Sequence, residues 1–268
     1  MLNVALEYVP GLELRLGQFK TPFGYEQQES DTKLMWVYGS YVVSALARGR
    51  DSRDIGALLT GKWKVRGLGL ELAAAGVNGA LPNGRDDLNE KNFWGRAGVS
   101  YAARGVTARA GGSFGYGDQV QSLGADARFG SVGTVLDDTY FHFHTVGADV
   151  TLDGRWFFAS AEYVQSRRDV REYASPTDVE RSEVTARGWT AGIHGKTPWN
   201  GGPVFRVEQY DRNDASRATD DVAERYTFGA YYDVRPANAR LLVNYELDRS
   251  DDPVRTGDRL AALLQVIF

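Results

Sequence analysis

The sequence predicts an all-β protein, an antiparallel up-and-down β-barrel that crosses a membrane with its strands. Along most of the chain every second residue is apolar, and the positions between them carry the charged residues. We call these two sets of alternate positions the two parities of a strand. Tight and long connections alternate between these segments, which is typical of a transmembrane barrel. Their length of roughly 8–14 residues suits the ~9–11 residues of a tilted membrane-crossing strand. We therefore expect residues 1–268 to form a single barrel domain.

Thirteen segments have this pattern, and the composition (12% aromatic, 14 Tyr, 8 Pro) favours strands over helices. The strands are expected near 2–9, 12–19, 53–64, 68–77, 92–103, 106–117, 140–152, 155–167, 183–196, 203–212, 222–234, 240–249 and 258–268. The apolar parity is expected to face lipid, with aromatic residues gathered at both membrane interfaces. The last segment, "LAALLQVIF", has five apolar residues on one parity and ends at Phe268.

The connections predict which end of the barrel is which. Tight ones lie at Pro10–Gly11, 65–67, 104–105, 153–154 and around Pro198 and Pro236; long ones lie at 20–52, 78–91, 118–139, 168–182, 213–221 and 250–257. Short turns belong to the periplasmic side of such barrels and longer loops to the outside. A soluble sandwich with Greek-key crossings gives no reason for this regularity.

Composition excludes several other classes. The chain has no cysteine, and no apolar run approaches the ~18–20 residues of a transmembrane helix. A net charge of -4 and a pI near 5.5 argue against a nucleic-acid partner. The start lacks the features of a signal peptide. Because such barrels have an even strand count, we expect a signal peptide and an odd number of further strands, one or three, before Leu2.

Basic residues on the parity opposite the apolar one are the candidate pore-lining and anion-contacting residues. Arginine offers fixed bidentate donors to phosphate and carboxylate, so a series of such residues lowers the barrier to an anion in a pore. The set is Arg15, Lys62, Arg96, Arg109, Arg206, Arg225, Arg240 and Arg259. Acidic residues share this parity in comparable number, so pairing between arginine and glutamate across the wall is the alternative role.

The connection from Lys20 to Ser52 is too long, and too apolar at "MWVYGSYVVSALA", to be a free surface loop. We expect it to fold into the lumen as a constriction, although it could instead cover the barrel mouth or pack against a neighbouring subunit. The basic residues bordering it are candidates for shaping the constriction field: Lys20, Lys33, Arg48, Arg50 and Arg53.

"FHFH" at 141–144 places His142 and His144 on one strand face, the spacing of some metal ligand pairs. They share their parity with Val146 and Val150, and the sequence offers no third ligand nearby. We expect them at the membrane interface and predict no metal site and no cofactor.

Two stretches, "LRLGQFKTPFG" at 14–24 and "RDIGALLTG" at 53–61, together with the terminal phenylalanine, resemble the phosphate-selective porin O/P family of Gram-negative outer membranes. This resemblance implies a sixteen-stranded, usually trimeric channel with an inward-folded loop, and three further strands before Leu2 would bring this chain to sixteen. It also implies that the barrel-assembly machinery recognises the last strand, which ends at Phe268.

These observations predict a passive outer-membrane channel, not an enzyme, for small hydrophilic solutes, with anions such as phosphate preferred. The expected partners are outer-membrane lipid, lipopolysaccharide, the permeating solutes and two further copies of the chain. The alternatives are an outer-membrane barrel that is no channel (an adhesin or a barrel enzyme) and a soluble β-rich binding protein.

Overall fold

The computed structural model describes residues 3–47, 52–79, 91–122, 138–175, 178–212, 222–235, 239–249 and 257–266. The strands are β1 (Asn3–Val9), β2 (Leu12–Lys20), β3 (Arg53–Val65), β4 (Leu68–Val77), β5 (Asn92–Ala103), β6 (Val106–Ser122), β7 (Asp138–Asp153), β8 (Phe157–Ser175), β9 (Asp178–Gly195), β10 (Gly201–Asp211), β11 (Val222–Arg235), β12 (Ala239–Asp248) and β13 (Arg259–Val266). A 3-10 turn (Asp31–Lys33) and a short helix, α1 (Tyr41–Leu46), lie between β2 and β3.

The strands form a single sheet in which each one pairs antiparallel with the next along the chain. The order runs from β1 to β13 without a crossover, so the all-β, up-and-down prediction and its thirteen strands are confirmed within the described ranges. No helix in those ranges has the length and apolarity to cross a membrane.

The tight connections use the turn chemistry that the sequence indicated. Arg66 and Gly67 have φ values of 50° and 84°, and Arg104 and Gly105 have 50° and 78°. Two successive residues with positive φ define the hairpin turn whose twist matches that of its strands, with glycine at its second position. Pro10–Gly11 closes the β1–β2 hairpin, with Gly11 at a φ of 82°.

The prediction of a long loop at 168–182 is wrong. β8 continues to Ser175 and β9 begins at Asp178. These two residues are still paired with each other. The segment is rich in charged residues, yet Tyr173 still pairs with Val179 across the two strands, so it extends the sheet as a long hairpin. β6 likewise continues to Ser122 and β7 begins at Asp138, which shortens the predicted loop at 118–139 from both ends.

The sheet has two chemically different faces. The face that we call the outer face presents large apolar side chains to the surroundings, with Leu59 49%, Leu72 53% and Phe114 53% exposed. The opposite, inner face carries the charged parity and the residues between β2 and β3. This assignment confirms the predicted division of the two parities, and an outward apolar band is what a bilayer requires.

Candidate channel lumen

The connection between β2 and β3 lies on the inner face of the sheet, and we call residues 21–47 the inner loop. Its apolar side chains are buried: Phe23, Leu34, Met35, Trp36, Val42, Val43, Leu46 and Ala47. They join inner-face residues such as Trp94, Val164 and Leu242 in two apolar clusters. The apolar middle of the loop therefore supplies much of the buried core, as its composition predicted.

Glycines on β9 give the inner loop room to approach the sheet. A Cβ atom on Gly188 would lie 2.8 Å from Val42 Cγ1, and one on Gly192 would lie 2.6 Å from Trp36 Cζ2. Both distances are too short for a real Cβ atom. The loop side chains thus occupy space that only glycine leaves free, which fixes the loop against this part of the wall.

Carboxylates on the inner face bind the start of α1. Glu208 on β10 accepts hydrogen bonds through Oε1 from Ser40 Oγ at 2.6 Å and from the Tyr41 N–H at 2.9 Å. Ser40 caps the helix by accepting from the Val43 N–H at 3.2 Å. The negative carboxylate satisfies N–H groups that the first helical turn leaves without partners. The sheet therefore holds α1 by its amino end.

A second carboxylate, Glu26, links two parts of the inner loop to the wall. The Ser40 N–H donates to Glu26 Oε1 at 2.5 Å, and the Glu26 N–H donates to Glu162 Oε2 at 3.1 Å. Next to it, burial together with Glu29 and Glu26 raises the pKa of Tyr25 well above its usual range. The Tyr25 ring lies against Phe158, with 5.6 Å between the ring centroids.

Arg206 was predicted to line the pore and to contact anions, and this prediction is wrong. Its side chain is 1% exposed and lies 3.2 Å from Glu208, 3.6 Å from Glu246 and 3.8 Å from Glu26. Its Nη1 also donates to the Tyr38 carbonyl at 3.2 Å, and its guanidinium lies over the Trp36 ring. The inner loop covers this arginine, which neutralises the carboxylates that hold the loop.

Arg225, Arg240 and Arg259 also serve the inner loop, contrary to their predicted role as anion contacts. Each pairs with a carboxylate and lies over a tyrosine ring: Arg225 with Asp248 and Tyr41, Arg240 with Asp233 and Tyr231, Arg259 with Glu246 and Tyr38. Arg240 Nη1 donates to the Thr32 carbonyl at 2.8 Å. The alternative of arginine–carboxylate pairing across the wall therefore describes this half of the sheet.

A cavity of about 740 Å³ remains between the inner loop and the inner faces of β1–β5. The loop contributes Pro22, Gln28 and residues 30–32 to its lining. Five basic and four acidic side chains line the cavity: Arg15, Lys20, Arg53, Lys62, Arg96, Glu7, Glu13, Asp31 and Glu71. Small neutral inner-face residues such as Thr60 and Ala73 keep it open. This cavity is the candidate passage past the inner loop.

Most cations of this passage have a nearby acid. Arg15 pairs with Glu13 at 2.6 Å and Lys62 with Glu71 at 3.2 Å, and these side chains remain between 36% and 68% exposed. Arg96 forms a bidentate pair with Asp149, at 2.5 and 2.8 Å. Exposed pairs of this kind are screened by water and hold each other weakly, so Arg15 and Lys62 keep donors available to a solute.

Toward the tight turns the lining becomes basic. A cavity of about 520 Å³ is lined there by Lys62, Lys64, Arg96 and Arg109, with Glu71 as its acid. Lys64 and Arg109 are exposed, and no carboxylate in the described part of the chain pairs with either of them. Lys64 on β3 and Arg109 on β6 lie at the same level of the sheet. The register shows this, because Lys64 pairs with Gly69, Gly69 with Ser100, and Ser100 with Arg109.

The sequence reasoning missed Lys64. It shares the parity of Lys62 on β3, and that parity is the signal that would have identified it. Of the predicted loop cations, Lys20 and Arg53 line the cavity, and Lys20 Nζ donates to the Glu29 carbonyl at 2.7 Å. Lys33 is not among its lining residues and pairs with Glu29 at 3.0 Å. Arg48 and Arg50 lie outside the described residues.

The described ranges contain no group of three or more His, Asp or Glu side chains arranged to hold a metal ion. The third histidine, His194, is buried and stacks on Phe158. What the inner face offers is a cavity with charged donors and acceptors along its wall.

Comparison with protein-family models gives no match, and comparison with curated protein sequences gives none. Solved structures do match. A loop L8 deletion mutant of OmpT, an outer membrane protein of Vibrio cholerae, is 11% identical, with a TM-score of 0.58 over 94% of this chain and 74% of that one. OmpT folded in vitro is 13% identical, with a TM-score of 0.56 over 88% and 66% of the two chains. An anion-selective porin from Comamonas acidovorans is 15% identical, with a TM-score of 0.55 over 98% and 71%.

At these identities the likeness concerns the fold. The resemblance to the phosphate-selective porin O/P family is thus supported as far as the barrel architecture, without a match to that family itself. The chain therefore has the fold of these outer-membrane β-barrels, and its apolar outer face agrees with that architecture.

Proposed function

We propose that the protein is a porin: a passive, water-filled channel of the Gram-negative outer membrane for small hydrophilic solutes, with small anions such as phosphate preferred. In this proposal it catalyses no reaction. Selectivity arises from the width left beside the inner loop and from the charges on the wall.

The observation that carries the proposal is the cavity between the inner loop and β1–β5. An adhesin has no need for a hydrated passage, and a purely structural barrel would fill this space with side chains, as the inner loop does over the rest of the wall. Here small residues such as Ala73 and Thr60 face the passage, and charged side chains line it. The fold shared with an anion-selective porin is consistent with this function.

The preference for anions rests on the uneven distribution of charge along the passage. Beside the 3-10 turn, acids nearly balance the bases. Nearer the tight turns Lys64 and Arg109 have no paired carboxylate. A low-dielectric wall focuses such unbalanced charge and raises the local concentration of the opposite ion. An anion in this part of the lumen is therefore stabilised relative to a cation.

Single-channel recording in a planar bilayer under a KCl gradient tests the proposal. The protein, inserted as a closed barrel, is expected to conduct with a reversal potential of the sign that chloride permeation gives. The double variant Lys64→Gln, Arg109→Gln removes the unbalanced charge, so its reversal potential should move toward zero. Arg167→Gln is the matched control, because Arg167 lies on the outer face and pairs with Glu183; its reversal potential should equal that of the wild type.

Each alternative has its own outcome in this recording. A folded, inserted protein without conductance would contradict the channel and favour an adhesin or a barrel enzyme. A conductance with cation preference, or one that the double variant leaves unchanged, would contradict the anion preference while leaving the channel in place.

We also propose that the channel assembles as a homotrimer in contact with lipopolysaccharide. The outer faces of β4–β6 carry small residues, among them Ala74, Gly95 and Ala97, which would let another copy approach closely. Light scattering of the detergent-solubilised protein gives the number of copies, and a monomer would contradict this part of the proposal. Recognition of the last strand by the barrel-assembly machinery stays a prediction.

A further inference from the structure

Four side chains form a compact block on the outer face of β6 and β7, near the ends of the strands that lead into the long connections. Tyr116 pairs with His144 and Asp118 with His142 in the strand register. The three rings contact one another, with centroid distances of 4.6 Å and 4.8 Å from Tyr116 to His142 and His144, and 5.0 Å between the two imidazoles. The channel function uses none of these residues.

The sequence predicted no metal site at these histidines, but the fold brings the two imidazoles next to each other on one face. Residues two apart on a strand project from the same face, and here their rings have already come together. His144 is exposed, and His142 keeps 18% of its side chain exposed. A metal ion arriving from the surroundings can therefore reach both rings without a change in the sheet.

Asp118 orients one of the two rings. Its Oδ1 lies 2.5 Å from Nδ1 of His142, and the carboxylate is 1% exposed. A carboxylate bound to one ring nitrogen fixes the ring and leaves the other nitrogen as the ligand, which is the arrangement found behind many metal-binding histidines. Asp118 is thus a positioning residue for His142.

Charged neighbours on β8 complete the surroundings. Asp169 is exposed and lies opposite His142, and Arg167 lies opposite His144. Arg167 pairs with Glu183 at 2.5 Å, so its charge is largely compensated. The carboxylates of Asp118 and Asp169 flank His142 on both sides and favour a cation there.

We propose that His142 and His144 bind a divalent transition-metal ion on the outer face of the barrel, with water in the remaining coordination positions. Imidazole ligands suit Cu²⁺, Ni²⁺ and Zn²⁺, and among these ions Cu²⁺ binds a given nitrogen site most tightly. The site is independent of the channel: its residues face away from the lumen, and its occupancy does not depend on conductance.

Titration of the detergent-solubilised full chain with CuCl₂, followed by electron paramagnetic resonance, tests the site. The expected spectrum shows coupling to imidazole nitrogens and a stoichiometry of one ion per chain. His142→Ala and His144→Ala should each abolish the chelate and its spectrum. Asp118→Asn should retain the spectrum but weaken binding by about 10- to 100-fold, the usual loss when a positioning partner is removed.

The chain provides a matched control, because its third and last histidine is His194 on the inner face. His194→Ala should bind Cu²⁺ as the wild type does. Migration of unheated samples as the compact folded band shows that each variant is intact. The proposal is overturned if the folded wild type takes up no Cu²⁺, or if the double variant His142→Ala, His144→Ala binds it with unchanged affinity and spectrum.

Discussion

Arg206 lies 168 residues from Tyr38 in the sequence but binds its carbonyl oxygen. At the residue scale, burial decides what such an inner-face charge does. Exposed Lys64 and buried Arg206 share the charged parity of the strands, yet the first faces water and the second faces Glu208, Glu246 and Glu26. Coulomb attraction is strong and poorly screened only in the second setting.

Removing the charge of Arg206 should therefore destabilise the protein strongly. Arg206→Ala leaves three carboxylates near one another without their cation, and loss of one partner of a buried ion pair costs about 3–5 kcal/mol. Urea denaturation followed by the shift between compact and unfolded gel bands measures this loss. Arg167→Ala removes an exposed arginine from an ion pair and should change the free energy of unfolding by about 1 kcal/mol or less. Equal effects of the two variants would contradict this assignment.

Gly24 lies near the start of the inner loop and packs against Glu162 of β8. It has a φ of 56°, and a Cβ atom there would lie 1.8 Å from Oε1 of Glu162. Gly24→Val should push this part of the loop off the wall and change the single-channel conductance measurably. Gly112→Ala is the control, because the nearest atom to its Cβ would be 4.0 Å away; its conductance should stay at the wild-type value. Wild-type conductance in a folded Gly24→Val channel would show that the loop tolerates the clash.

At the scale of elements, α1 is the part that depends most on its surroundings. It has only six residues, and an isolated helix of that length does not form in water. It exists because Val42, Val43 and Leu46 are buried and because Ser40 and Glu208 bind its amino end. The inner loop is therefore folded by the sheet rather than by its own helical propensity.

Ser40→Ala removes both the helix cap and the hydrogen bond to Glu208. The expected cost is about 1–2 kcal/mol, the usual range for loss of an N-terminal cap. The change should appear as a lower urea midpoint and as faster protease cleavage within the inner loop. Ser44 lies on the exposed side of the same helix, so Ser44→Ala should leave both measurements unchanged. Identical cleavage rates for the two variants would argue against the capping role.

At the scale of the whole molecule, the opposite chemistry of the two faces determines the solvent that the fold requires. Leu72 is 53% exposed on the outer face, whereas Ser100 lies on the inner face of the neighbouring strand. Leu72→Arg should reduce stability in a bilayer by about 2–4 kcal/mol, the cost of arginine near the membrane midplane. Ser100→Arg should fold into liposomes as the wild type does. Folding in vesicles of defined thickness, followed by gel migration, measures both variants.

Much of the fold could be predicted from local patterns. Period-two alternation in segments such as Leu68–Val77 predicted strand, face and approximate bounds, because a strand exposes successive residues to two different solvents. Arg104–Gly105 predicted its turn through the backbone freedom of glycine. The exceptions were 168–182 and the two ends of 118–139, where polar and charged residues suggested loops. Strands that extend beyond the membrane are hydrated on both faces and no longer carry the apolar signal.

The candidate site was predictable only in part. The apolar run of the inner loop predicted its burial, and the parity of Arg15 and Lys62 predicted their place on the wall of the passage. Nothing in the local pattern separates Arg109, which faces water, from Arg225, which the loop contacts through Tyr41. That difference depends on which strands the inner loop covers, and the loop's path is set by contacts between residues more than a hundred positions apart.

The sequence alone determined the number and order of the strands and which face meets lipid, although not the full length of β6–β9, because alternation and turn chemistry act over a few residues. Only the tertiary structure decided the function of each inner-face charge. In the folded protein the inner loop packs against β5–β13 and leaves the cavity beside β1–β5. Arginines under the loop therefore form buried ion pairs, whereas those beside the cavity stay exposed to solvent. The tertiary structure also brought Asp118 against His142 across two strands. Burial and neighbouring charges, which the chain acquires only on folding, set those differences.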